Sequence, residues 1–142
     1  MDAKSRGFYW WGLSFSSLVV FASAADISGC TSNSRCNYAI ACGVVSFLIS
    51  FSMVAALFVK SLSSLLALEL YVAVFMSVWW AVGTAVNTSH DGPGAGIGNI
   101  YYFSWISLYA AVMVLYVRLT MDHGIDAAVM TGGGGGAAAA RR

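Results

Sequence analysis

Four apolar runs organise the chain. They extend from Phe8 to Ala25 (FYWWGLSFSSLVVFASAA), from Tyr38 to Val59, from about Leu62 to Val86, and from about Ile97 to Leu119. Each is close to the roughly 20 predominantly apolar residues that a helix needs to cross the hydrocarbon core. Barrel strands would instead be about ten residues long with strict alternation, which none of the runs shows. The expected fold is all-α, a four-helix transmembrane bundle. The links Asp26–Asn37 (DISGCTSNSRCN), Lys60–Ser64 (KSLSS) and Asn87–Gly96 (NTSHDGPGAG) are short. Short links make neighbouring helices antiparallel, so the expected topology is up-down-up-down. The expected organisation is a cytoplasmic flank 1–7, a membrane domain 8–121 with spans at about 8–27, 38–59, 62–87 and 97–119, and a flexible low-complexity tail 122–142. FYWW at the start of the first run reads as an interfacial aromatic anchor, which favours a retained span over a cleaved signal peptide.

Composition agrees with this pattern. The chain is 59% hydrophobic and only 9% charged, against roughly 25% charged residues in soluble domains. A net charge of +1 without a basic face excludes a nucleic-acid partner. The distribution of the basic residues says more than their sum. In the expected topology Lys4, Arg6, Lys60, Arg118, Arg141 and Arg142 share one side and Arg35 stands alone on the other. Cytoplasmic flanks carry the Lys/Arg excess, so both termini are expected in the cytoplasm.

Glu69 is the acidic residue inside a span. At about 1.5 Å per residue it should lie roughly 8–10 Å from the bilayer centre. A helical repeat puts Ala73, Met76, Trp80 and Gly83 on its face. One reading is a proton or cation site. The other is a structural carboxyl, buried between helices in protonated form and hydrogen-bonded to a Ser, a Tyr or a backbone carbonyl. Proton relays use chains of ionisable groups, and no partner is expected at similar depth in the other spans, which favours the structural role.

Other residues fill out the picture. Cys30 and Cys36 lie in one loop and are expected to form a disulfide, while Cys42 reads as a packing residue. No His pair has zinc-ligand spacing near them, and no metal or cofactor is expected. Nothing in the spans could activate one of the many serines, so no enzyme activity is expected. Asn87-Thr88-Ser89 matches the glycosylation pattern but sits too close to the bilayer to be modified. Gly12 and Ser16, Ala39 and Gly43, Ser46 and Ser50, Ser52 and Ala56, and Ala81 and Ala85 are all four residues apart. Small residues at that spacing let helices approach closely in lipid.

Several stretches resemble the MARVEL family of four-span membrane proteins, the group that includes synaptogyrins, synaptophysins and occludin. They are LALEL (Leu66–Leu70), VWWAVGTAV (Val78–Val86), a short Gly/Pro/Ser loop, and GNIYYFSWISLYAA (Gly98–Ala111). Trp80, Gly83, Gly98, Asn99, Tyr102, Phe103 and Trp105 carry the likeness, which is densest over Leu65–Tyr116. The claudin loop pattern and the tetraspanin CCG motif are absent. The resemblance implies a non-enzymatic protein of secretory, endosomal or plasma membranes, associated with vesicle traffic, membrane apposition and cholesterol-rich domains. The partners it implies are membrane lipids, sterols among them, with lateral self-association or other membrane proteins. Physically, Asn99 should bond across helices, and Tyr101, Tyr102, Phe103 and Trp105 should form an external aromatic belt. The rival readings are a small proton or cation transporter using Glu69, and an accessory subunit of a larger membrane complex.

Overall fold

The computed structural model describes residues 3–132. Four α-helices, α1 (Ala3–Ala25), α2 (Ser34–Phe58), α3 (Glu69–Asn87) and α4 (Asn99–Gly132), are joined with two 3₁₀ segments, Cys30–Ser32 and Lys60–Leu68. Among the described residues all regular structure is helical. Four stretches are long and apolar enough to cross a membrane: Arg6–Ala25, Ser34–Phe58, Ser64–Asn87 and Asn99–Met121, with mean hydropathy between 1.3 and 2.3.

A continuous row of buried positions follows one rule in every helix, with further buried residues such as Ser14, Ser16, Cys42, Thr84 and Ala110 beside it. In α1 the row is Trp10, Leu13, Ser17, Val20 and Ala24; in α2, Cys36, Ala39, Gly43, Ser46, Ser50 and Met53. In α3 it is Glu69, Ala73, Met76, Trp80, Gly83 and Asn87; in α4, Ile100, Ser104, Ser107, Ala111 and Val114. Steps of four and three alternate without interruption. This is a heptad seam, whose 3.5-residue period draws helices into left-handed bundles. α1 packs against α2 and α4, and α3 packs against the same two helices. α1 and α3 therefore stand opposite one another in the ring. The face expected to accompany Glu69 is the buried face of α3.

Small residues on the seam set the helix separations. A Cβ at Gly43 would stand 2.7 Å from Phe21 Cβ and 2.9 Å from both Phe21 N and Ser17 O, so α2 lies directly against the backbone of α1. Gly83 faces Cys42, whose Sγ would be 2.8 Å from such a Cβ. Ala39 and Ser16 are buried as well. Other expected packing positions turn outward. Gly12 has nothing within 4 Å of an added Cβ, and Ser52, Ala81 and Ala85 are exposed. Spacing of four recurs on both faces of a helix, so spacing alone does not separate the seam from the lipid face. Gly12→Ala should accordingly raise stability or leave it unchanged. The gain in helix propensity is about 1 kcal/mol, and thermal unfolding in detergent would measure it.

The helices outrun the expected spans. α1 begins at Ala3, and α4 continues to Gly132 into the stretch expected as tail. Arg141, Arg142 and residues 133–142 of that tail lie outside the described residues. The third span begins not as α-helix but as the nine-residue 3₁₀ segment Lys60–Leu68, unusually long for that conformation. At the opposite end the two loops are joined. Cys30 and Cys36 form the expected disulfide, buried with Ala24, Ala39 and Ile100. Gly29 precedes it at φ 77°, a left-handed conformation suited to glycine. Asn33 Oδ1 caps α2, accepting from Arg35 N at 2.9 Å and from Cys36 N. The second loop folds back onto α3, with Gly94 N donating to Asn87 O at 2.8 Å.

Candidate functional site

Glu69 is the first residue of α3, placed where the 3₁₀ segment ends and the seam begins. It is fully buried. Trp10 Nε1 donates to Oε1 at 2.9 Å, and Arg6 Nη1 donates to Oε2 at 3.2 Å. Arg118 Nε stands 3.8 Å from the same Oε2, an ion-pair contact. The carboxylate side chain is 1% exposed, against 18% for Arg6 and 24% for Arg118.

This arrangement continues the seam. Arg6 lies four residues before Trp10, and Arg118 four residues after Val114. Three seams thus end in charged groups that meet. Glu69 joins α3 to α4 and, across the bundle, to α1, and both of its oxygens are occupied. A cation reaching Oε2 would have to displace a guanidinium, and one reaching Oε1 would have to displace the Trp10 indole.

Two expectations need correction. Glu69 does have ionisable partners in other helices, Arg6 and Arg118. Both sit at span ends and read as flanking charges, but their long side chains reach inward to the carboxylate. The bonds also come from an indole and a guanidinium, not from a Ser, a Tyr or a backbone group.

A second polar set lies towards the disulfide end. Asn87 Nδ2 donates to Ser104 Oγ at 3.0 Å, and Thr84 Oγ1 donates to Ser104 O at 3.0 Å, tying α3 to α4. Ser107 Oγ donates to Ser16 Oγ at 2.7 Å, tying α4 to α1. The amide that bonds between helices is therefore Asn87, whereas Asn99 is exposed as the first residue of α4. Position in a seam decides between them: Asn87 occupies one, while Asn99 precedes the first seam position of α4, Ile100. The nitrogen of Asn87 that a glycan would need faces the interior. Of the expected aromatic belt, Tyr102 and Trp105 are exposed and Tyr101 packs edge-on against Tyr102. Phe103 instead turns to α1, its ring 6.1 Å from that of Phe15.

Among the described residues no group of three His, Cys, Asp or Glu is placed to hold a metal ion. Compared with known protein families, curated proteins and solved structures, the chain matches none.

Proposed function

We propose that the chain is an up-down-up-down four-span protein with cytoplasmic termini that organises membrane by lateral association, and that it is neither an enzyme nor a carrier. One observation carries this reading: Glu69, the acid at the centre of the transport alternative, has both oxygens engaged by Trp10, Arg6 and Arg118. Such a carboxylate is suited to fixing helices in place. The other interior polar contacts, Ser16 with Ser107 and Asn87 with Ser104, likewise join helix to helix. Recognition is left to the outer surface, where large side chains such as Phe8, Phe15, Tyr71, Val78 and Tyr109 are exposed.

The order of contacts supports the topology. Tyr9 meets Tyr109 while Phe15 meets Phe103, so numbering rises along α1 as it falls along α4. Gly7 lies near Leu57 while Gly43 lies near Phe21, the same relation between α1 and α2. The Lys/Arg asymmetry supports the orientation. The likeness of LALEL, VWWAVGTAV and GNIYYFSWISLYAA to MARVEL proteins supports a place in secretory, endosomal or plasma membranes and work in membrane traffic or apposition.

Purified protein in liposomes tests the choice of class. Proton and cation flux should equal that of empty liposomes for wild type and for Glu69→Gln. Flux through wild type that Glu69→Gln abolishes would make Glu69 a transport site. In giant vesicles with coexisting lipid phases, the labelled protein should partition unevenly and shift the phase areas. Uniform distribution with unchanged areas would count against an organiser.

A further inference from the structure

Trp80 Nε1 on α3 and Ser46 Oγ on α2 are seam atoms in completely buried side chains, and neither has a hydrogen-bond partner among the described residues. Ser46 differs in this from other serines of the spans. Ser17, Ser50, Ser52, Ser77 and Ser107 each donate to the carbonyl four residues earlier, at 2.6–2.8 Å. For Ser46 that carbonyl is Cys42 O. It accepts the helical amide of Ser46 and also Trp79 Nε1, at 3.4 Å. Both of its lone pairs are then in use, and the Ser46 hydroxyl is left for another partner.

The two atoms lie at one height. Glu69 bonds to Arg6, and Gly7 lies near Leu57, which puts the start of α3 level with the end of α2. Further along, Gly83 faces Cys42. α3 thus rises from Glu69 to Gly83 as α2 descends from Leu57 to Cys42, and Trp80 comes level with Ser46, one turn from Cys42. The benzene edge of Trp80 covers Gly83, with Cε3 3.5 Å from a Cβ placed there. Nε1 is on the other edge of the indole and points away from Gly83, the direction in which Ser46 lies from Cys42. Ser46 is also the middle residue of the span Ser34–Phe58, where the surrounding hydrocarbon holds no water for either atom. A buried donor or acceptor without a partner carries its whole desolvation cost. Interior waters typically relieve that cost by bonding about two to four such groups.

We propose that one water molecule is built into the bundle between α2 and α3, accepting from Trp80 Nε1 and donating to Ser46 Oγ. Such a bridge joins a donor and an acceptor roughly 4.5–5 Å apart, beyond direct bonding. It fastens α3 to α2 near the middle of the membrane. The site is separate from Glu69 and independent of the organiser reading.

Nuclear magnetic resonance of the full chain in nanodiscs, with isotope-labelled tryptophan, tests the site directly. Trp80→Phe identifies the Trp80 indole signal, with Trp80→Tyr in its place should that variant fail to fold. In wild type the Trp80 N–H should show a cross-peak to water and the downfield shift of a bonded donor. Ser46→Asn carries an oxygen into the water's position, so it should remove the cross-peak and keep the downfield shift. Unfolding in detergent gives the second readout. The effect of Ser46→Ala on the unfolding equilibrium should be about fivefold more destabilising in wild type than in Trp80→Phe, the scale of one hydrogen bond. In the Trp80→Phe background the better helix propensity of alanine should leave Ser46→Ala neutral or stabilising. A wild type without the water cross-peak would overturn the proposal and leave a dry pair, for which Ser46→Ala should stabilise in both backgrounds. An equal loss in both backgrounds would overturn it as well, giving the hydroxyl to a carbonyl of its own helix. So would a cross-peak that persists in Ser46→Asn, which would place the water away from Ser46.

Discussion

Glu69→Ala should cost the bundle about 3–5 kcal/mol, the loss typical of breaking a buried ion pair by removing one partner. The substitution removes the anion that Arg6 and Arg118 share and the acceptor of Trp10 Nε1. The indole is completely buried, so it cannot recover its bond from water. Glu69→Gln keeps the shape and an amide oxygen for one donor but loses the charge, and it should fall between alanine and wild type. Trp10→Phe should cost less than Glu69→Ala, because it leaves the ion pair with Arg6 intact. Detergent-titrated unfolding would rank the three. If Glu69→Ala proved as stable as wild type, the carboxylate would not be holding the helices, and the case against a transport site would weaken with it.

The same residues show how much of this could be read before the structure. Four spans, their short links and the buried face of α3 follow from hydrophobic patterning, because lipid leaves a backbone few conformations. Glu69 stands out for the same reason: an acid in an apolar run is conspicuous. Its partners do not stand out. Arg6 and Arg118 fit the rule for flanking charges so well that nothing prompts a second role. Yet the sequence holds the signal in its phase. Arg6 extends the series Trp10, Leu13, Ser17, and Arg118 extends the series Ser107, Ala111, Val114. Heptad phase also separates Asn87, which bonds within the bundle, from Asn99, which does not lie on a seam. Spacing of four alone lacks that discrimination, which is why Gly12, Ala81 and Ala85 read as packing residues and yet face outward. Phase becomes useful only when seams in different helices are matched by height, and the pairing of heights is what the folded chain supplies. The 3₁₀ start of the third span has no comparable signal, since the sequence there contains neither Pro nor Gly.

Gly43 and Gly83 make the strongest contrast between two positions that look alike in sequence. Both are seam glycines, and a Cβ at either would stand under 3.0 Å from a neighbour. At Gly43 the neighbours are Phe21 Cβ, Phe21 N and Ser17 O, atoms fixed to the α1 backbone. They can yield only if α1 moves away from α2, which would loosen the helix pair along its length. Overpacking of this kind costs typically about 1–3 kcal/mol, and the helix-propensity gain of about 1 kcal/mol offsets only part of the upper range. Gly43→Ala should therefore destabilise by up to about 2 kcal/mol, and Gly43→Leu, with three more carbons to place against the same backbone, should prevent folding of the α1–α2 pair. At Gly83 the close neighbour is Cys42 Sγ, the end of a side chain that can rotate. Gly83→Ala should stay within about 1 kcal/mol of wild type, since propensity and crowding oppose one another. Adding Cys42→Ala should remove the crowding and leave the propensity gain. Measured unfolding of the single and double variants decides the point. Equal losses at Gly43 and Gly83 would mean that α1 and α2 are no closer than α2 and α3, and that the backbone contact at Gly43 does not set the α1–α2 separation.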